Sequence, residues 1–177
     1  MEEIKNLDNN ISNKSPANIE AEQALIGSIL VNNDIIDEVS TIINPSIFYD
    51  PAHIKIYEVI ENLNNKGMIA NPITLKNYLE KNETLSEVGG IDYLVKLTRF
   101  SSSIKQAIDY AKIVREMYVK RELILISEDV MLEAKDDNLE NPSDKIIEKA
   151  EQSLYQLAEK GSFSQSYIKF NRCPVYN

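Results

Sequence analysis

The sequence predicts an all-α fold: a small helical head of about five helices followed by a long antiparallel helical hairpin. Three features carry that expectation. A capping residue followed by proline recurs at Asp50-Pro51, Asn71-Pro72 and Asn141-Pro142. Proline suits a first helical position, because the N–H it lacks has no partner there anyway. Apolar residues recur at three- and four-residue spacing in successive segments. From Ile104 to about Ala134 no residue breaks a helix.

The elements follow in order. Residues 1–17, rich in Asn, Ser and Lys, read as a disordered lead-in. The head spans 18–100. Asn18 caps a first helix from Ile19 to about Val31, with Glu20 in its favourable first turn. Ala21, Leu25 and Ile29 form one apolar row, with Ile26 and Leu30 beside it. Gly27 lowers helix propensity by roughly 1 kcal/mol, and a close helix crossing would explain its presence. Asp34 and Asp37 have the spacing of an acidic capping box for a short second helix, buried through Ile35, Ile36, Val39 and Ile42. Asn44 and Pro45 stop it, and Ile47 and Phe48 form a buried plug. A third helix starts at Asp50-Pro51 and runs to about Leu63, with Ile56, Tyr57, Ile60 and Leu63 inward. Asn64, Asn65 and Gly67 end it. A fourth helix follows Asn71-Pro72 and buries Leu75, Tyr78 and Leu79. After Gly89-Gly90 a short fifth helix uses Ile91, Leu94, Val95 and Leu97. A loop of Phe100 and three serines closes the head.

The hairpin spans 103–160. Ser103 and Gln106 match a capping box. The helix that follows is roughly 45 Å long at about 1.5 Å per residue, so it is expected to project beyond its own domain. Ala107, Ala111, Val114, Tyr118 and Leu125 lie along one side. Asn138 to Asn141 make a turn, and the last helix has a seam of Ile147, Ala150, Leu154 and Leu157 ending at Gly161. Two helices alone do not enclose an apolar seam. Leu123-Ile124-Leu125-Ile126 is apolar on more than one face, so it is expected to cover another body. A second copy is the favoured occupant, with the head or another protein as alternatives.

Composition narrows the function classes. The 177 residues suffice for one hydrophobic core. Acidic residues number 28 against 19 basic, a formal charge of -9. That balance repels phosphate backbones, so no direct DNA binding is expected. The lone Cys173 permits neither an internal disulfide nor a thiolate metal cage, and it fits a reducing cytosol. The start lacks the basic and apolar regions of a secretion signal. No stretch approaches the ~20 apolar residues of a membrane span. A cytoplasmic location is expected. The chain has no Trp but nine Tyr, which suit packing surfaces where the ring is buried and the hydroxyl stays wet.

Several stretches, in order, resemble the amino-terminal domain of bacterial replicative DNA helicases, the hexameric DnaB-type family. They are Asn18 to Gly27; Phe48-Tyr49 with His53, Ile56 and Tyr57; Thr74-Leu75 with Leu79; Val88 to Leu94; and Tyr110 to Glu116. The resemblance covers roughly residues 16 to 170. It implies a helical head followed by a hairpin that pairs with a neighbouring subunit. The paired domains would form a collar, a trimer of dimers, on which the C-terminal domain of primase docks. A helicase loader is a further possible partner.

The chain departs from a full helicase in one respect. It contains no G-x-x-x-x-G-K-[ST] run. Gly89-Gly90 precedes an ordinary helix. No ATP hydrolysis or unwinding is expected of this polypeptide alone, and no cofactor: ATP and magnesium would bind only the missing motor. Residues 161–170 resemble the start of the interdomain linker, whereas Asn171 to Asn177 do not resemble its continuation. A frameshifted or truncated gene and a genuine stand-alone domain both account for such a tail.

Single residues are read as follows. His53, the only histidine, has no partner for a metal site and reads as packing or a local cap contact near Phe48 and Tyr49. The carboxylates Glu20 and Glu22, Asp34 and Asp37, and Asp136 and Asp137 read as solvated or capping groups, because catalytic ones need a cleft and a shifted pKa. No catalytic, cofactor or metal residue is identified. Tyr118, Arg121, Leu125, Leu154 and Tyr155 are the candidate interface residues, since aromatic, arginine and apolar groups beside an unpaired seam anchor contacts. Assembly and primase docking is the leading function. A stand-alone adaptor for primase or a loader is the alternative.

Overall fold

A computed structural model describes residues 15–136 and 142–161. Seven α-helices and two 3-10 turns, with no strand, account for the regular structure of the described residues. The turn at Asn138 to Asn141, the lead-in up to residue 14 and the tail from residue 162 lie outside them. By packing, one compact unit ends at Glu122 and a second begins at Leu123, within the longest helix.

In the first unit, α1 (Ile19–Val31) starts where expected, with Asn18 Oδ1 accepting the Ala21 N–H at 2.9 Å. Ala21, Leu25, Ile26, Ile29 and Leu30 are buried. The Gly27 crossing is real and very close. A Cβ at Gly27 would lie 2.1 Å from the Leu97 carbonyl oxygen of α5 (Gly90–Thr98). One residue on, Ser28 Oγ donates to Ala24 O at 2.7 Å and accepts the Ser102 N–H at 2.9 Å. Glycine and serine thus let α1 sit against α5 and the serine loop with little between them.

The second helix is shorter than a capping box would make it. Asn33–Ile35 is a 3-10 turn, capped by Asn32 Oδ1 on the Asp34 N–H, and α2 (Ile36–Ser40) has no side-chain cap. Asp34 and Asp37 therefore do not form the expected box. The reason is that Ile35 already has helical φ and ψ, so no extended cap residue precedes α2. Ile35, Ile36 and Val39 are buried as expected, but Ile43 is the next buried residue and Ile42 only packs at the edge. Asn33 is a second, unforeseen joint. Its amide donates to Ala70 O at 2.8 Å and accepts from Ala70 N at 2.6 Å, pinning the loop before α4.

Asp50 caps α3 (Pro51–Asn65) through Oδ1 on the Ala52 N–H, and Asn71 with Thr74 closes a full capping box on α4 (Pro72–Lys81). Ile47 and Phe48 are buried ahead of α3. The C-terminus of α3 is a Schellman motif: Gly67 donates to Asn64 O, Met68 donates to Leu63 O, and Gly67 has φ +67°. The end of α4 repeats that motif with Glu83, at φ +59°, in the glycine position. In α5, Leu94 and Leu97 are buried, but Val95 is exposed. It lies ~100° round the helix from Leu94 and ~160° from Leu97.

Helix α6 (Ile104–Lys135) carries the expected Ser103–Gln106 box. Its buried residues are Ala107, Ala111 and Val114, and Tyr118 packs at the edge of the same core. Leu125, expected to continue this row, is exposed. No helix among the described residues is long and apolar enough to cross a membrane.

In the second unit, α7 (Ser143–Gly161) starts one residue later than its proline suggests. The Pro142 carbonyl accepts from Lys145 at 3.0 Å, so proline sits at the cap rather than inside the helix. The part of α6 beyond Glu122 and α7 enclose a shallow groove lined by Ile126, Val130, Ile146, Ala150 and Ser153. A Glu133–Lys149 pair crosses it. The seam is therefore rotated from the expected one. Ile146, Ala150, Ser153 and buried Leu157 share a row, whereas Ile147 and Leu154, one residue further round, are exposed.

Candidate functional site

The first unit holds a buried polar chain. Glu22 lies on the helical row of Ile26 and Ile29 and is only 1% exposed. It is thus a core residue, not the solvated or capping group expected of it, because its row faces inward. Its Oε1 accepts the Tyr49 N–H at 2.7 Å, and Oε2 accepts the Asp50 N–H at 3.3 Å. Oε2 also lies 2.6 Å from Nδ1 of His53, which is 0% exposed. His53 Nε2 lies 2.8 Å from the Tyr93 hydroxyl, to which the Gln23 amide donates at 3.2 Å.

Gln23 donates to Tyr93, and Nδ1–H of His53 donates to the Glu22 carboxylate, which can only accept. Burial pushes the Tyr93 hydroxyl above the usual phenol range; the Gln23 hydrogen bond opposes this, and the Asp50 and Glu22 carboxylates add to it. The ring of His53 stacks on Tyr93 at 6.1 Å and meets Phe48 edge-on at 6.4 Å.

Carboxylate, imidazole and phenol in line are the parts of a proton relay, but burial closes the histidine to any substrate. The network joins α1, the start of α3 and α5 instead. His53 packs near Phe48 as expected, while its polar partners come from other helices rather than from a local cap. Among the described residues no group of three or more His, Cys, Asp or Glu is placed to hold a metal ion. The neighbouring Tyr57 is fully buried, and its hydroxyl has no hydrogen-bond partner among the described residues. Burial, with the nearby Glu61 carboxylate, pushes that phenol far upward. Tyr57 thus departs from the expectation of wet hydroxyls.

Two candidate interface residues meet at the end of the first unit. Arg121 donates from Nη1 to Pro16 O at 2.8 Å and from Nη2 to Ile47 O at 2.6 Å. Its guanidinium lies over the rings of Tyr49 and Tyr118, at 5.4 Å and 5.8 Å from their centroids. A planar fork with several fixed donors suits this double carbonyl contact as a lysine would not. Burial raises the Tyr118 hydroxyl pKa; Glu122 adds to the rise and Arg121 opposes it. Arg121 thus clasps α6 to two segments distant in sequence. The flanking Lys120 pairs with Glu116 on its own helix at 3.5 Å.

The other three candidates lie in the second unit. Leu125, Leu154 and Tyr155 are 53%, 46% and 62% exposed. Leu123 and Ile124 beside Leu125, and Ile147 on α7, are exposed as well. A hydrogen bond from Lys149 to Glu133 holds the lysine above its usual pKa range. The unit buries little of its apolar surface, and its outer faces offer contact rather than chemistry.

Sequence reasoning missed Glu22, Tyr93 and Tyr49 as members of these networks. A signal for Glu22 was present, since it continues the spacing of Ile26 and Ile29 toward the helix start. Nothing local pointed to Tyr93, which reaches His53 across 40 residues of chain.

A family model of the DnaB-like helicase N terminal domain matches residues 14–116. The chain is 41% identical over 154 residues to the replicative DNA helicase DnaB of Rickettsia conorii, covering 87% of this chain and 31% of that protein. It is 32% identical over 157 residues to that of Pasteurella multocida, covering 84% of this chain and 32% of the relative. The chain thus spans about a third of the length of the curated relatives it matches. Among solved structures, the N-terminal domain of DnaB helicase from Mycobacterium tuberculosis is similar with a TM-score of 0.74 at 27% identity, over 81% of this chain and 99% of that one. A DnaB-like replicative helicase, described with its interactions with primase, is similar with a TM-score of 0.64 at 28% identity, over 79% of this chain and 31% of that one.

Proposed function

Because this chain belongs to the DnaB-like helicase N-terminal domain family, we propose that it is the assembly and primase-docking part of a replicative DNA helicase. The observation that carries this reading is the exposure of large apolar side chains on the second unit, at Leu125, Ile147, Leu154 and Tyr155. Likeness to a helicase described with its interactions with primase supports the choice of partner. Self-association proceeds from dimers up to a trimer of dimers. Leu125, Leu154 and Tyr155 on the second unit contribute contact area for assembly and docking, and Tyr118 and Arg121 are the interface residues of the first unit. A helicase loader is a second partner of the same kind, and the cytoplasm is where these proteins meet.

Motor chemistry is assigned elsewhere. The family match lies on an N-terminal domain, and the sequence holds no phosphate-binding loop. ATP and magnesium therefore have no role in this polypeptide, and it does not unwind DNA alone.

Sedimentation velocity over a concentration series, with and without the C-terminal domain of the cognate primase, tests the reading. Dimers or larger species that bind this domain are expected. A strict monomer that ignores it would overturn the proposal.

A further inference from the structure

The second unit is not evenly apolar. Its described side chains, in 123–136 and 142–159, include eight acidic residues and three lysines. On α7 the imbalance is concentrated on the face turned away from the seam. At ~100° per residue, Asp144, Glu148, Glu151 and Glu159 fall on one side of the helix, around Tyr155. Ile147 and Leu154 border them. All seven are exposed. Lys149 is turned to Glu133 across the groove, and Lys145 stands at the margin of the acidic face. Within the face, Tyr155 donates to Glu159 at 2.7 Å.

A second copy is a poor occupant for this face. Isologous pairing would set four carboxylates against four, and like charges at an interface oppose association. An apolar row edged by one sign of charge suits a partner with the opposite edge. We propose that the outer face of α7 receives a basic amphipathic helix of a partner protein. Its apolar residues lie on Ile147, Leu154 and Tyr155, and its Lys and Arg side chains meet Glu148, Glu151 and Asp144. This deepens the docking role proposed above, on which it rests, by stating the chemistry of the partner surface. It leaves the charge-poor run Leu123-Ile124-Leu125 of α6 for contact between copies.

The test uses the full chain and two labelled helical peptides, one of Leu and Lys and one of Leu and Glu, followed by fluorescence anisotropy. The Leu/Lys peptide is expected to bind, and the Leu/Glu peptide is not. Raising salt from about 0.1 M to about 1 M shortens the screening length from roughly 10 Å to roughly 3 Å and is expected to weaken binding at least about tenfold. The double variant Glu148→Lys/Glu151→Lys loses a similar factor, while Glu38→Lys at an exposed position of α2 does not. Equal binding of both peptides, or no loss in the double variant, overturns the proposal. So does a dimer that the double charge reversal strengthens, which places a second copy on this face. If the cognate primase domain binds and ignores the double variant, docking stands and this inference falls. If the Leu/Lys peptide binds with the expected losses and primase does not, the inference stands and the primase reading falls.

Discussion

His53 Nδ1 lies 2.6 Å from Glu22 Oε2, with both side chains sealed from solvent and 31 residues apart in the chain. Glu22 also accepts the backbone N–H groups of Tyr49 and Asp50, the two residues that lead into α3. One carboxylate thus fixes both the imidazole and the entry of a helix. Removing a single partner from such a buried pair leaves the other without this contact, a loss of about 3–5 kcal/mol. Glu22→Ala and His53→Ala are each expected to fall in that range. The double variant is expected to lose less than the sum, with a coupling of about 1 kcal/mol or more in urea titrations. Additive losses would show that the two side chains act independently.

At Gly27 two effects oppose each other. Alanine in a helix interior is favoured over glycine by about 1 kcal/mol. A methyl group there would meet the Leu97 carbonyl at 2.1 Å, which is backbone and not a flexible side chain. The clash is expected to win. Gly27→Ala should lower stability by about 3 kcal/mol, read from the denaturation midpoint at unchanged slope. A gain in stability would mean that α1 and α5 do not touch as described.

Glu83 occupies the left-handed position of the motif that ends α4. A side chain there costs about 1–2 kcal/mol, and glycine removes that cost while adding freedom to the unfolded chain. Glu83→Gly is therefore expected to raise stability by about 0.5 kcal/mol, a small upward shift in Tm. A lower Tm would indicate that the Glu83 side chain makes a contact worth more than the strain.

Glu61 is pushed above the usual glutamate pKa by burial, with Glu58 adding to it. Between the unfolded and folded pKa the native state binds the proton more often than the unfolded chain does. Stability therefore falls as pH rises through that window and stays reduced above it. Glu61→Gln should remove this penalty. At neutral pH the variant is expected to be more stable by a few tenths of a kcal/mol, a figure kept small because the group is partly solvated. The difference should vanish in acid, once Glu61 is protonated in both states. A pH-independent difference would rule out charge as its source.

Local chemistry was readable in the chain. Asn18, Asp50, Asn71 and Ser103 each cap the helix they precede, since a cap is a contact within three residues. The inward rows of α1 and α3 follow from spacing alone. The close approach at Gly27 was also visible, because a glycine inside a strong helix asks for a reason. Periodicity was less certain on α7, where apolar residues stand at both 146 and 147. Either row fits a seam, and contact with Ile126 and Val130 selected the row of Ile146.

The long-range polar contacts were not readable. Glu22 looked like a first-turn acid, and nothing near it in sequence announces Tyr49, His53 and Tyr93. Arg121 read as a residue for contact with a partner, yet its guanidinium holds the Pro16 and Ile47 carbonyls of its own chain. Such contacts depend on where distant segments come to lie, and that is set by the packing of whole helices. Caps, breakers and apolar rows are encoded over a few residues of sequence. The partners of a buried carboxylate or a clasping arginine exist once the core has closed around them.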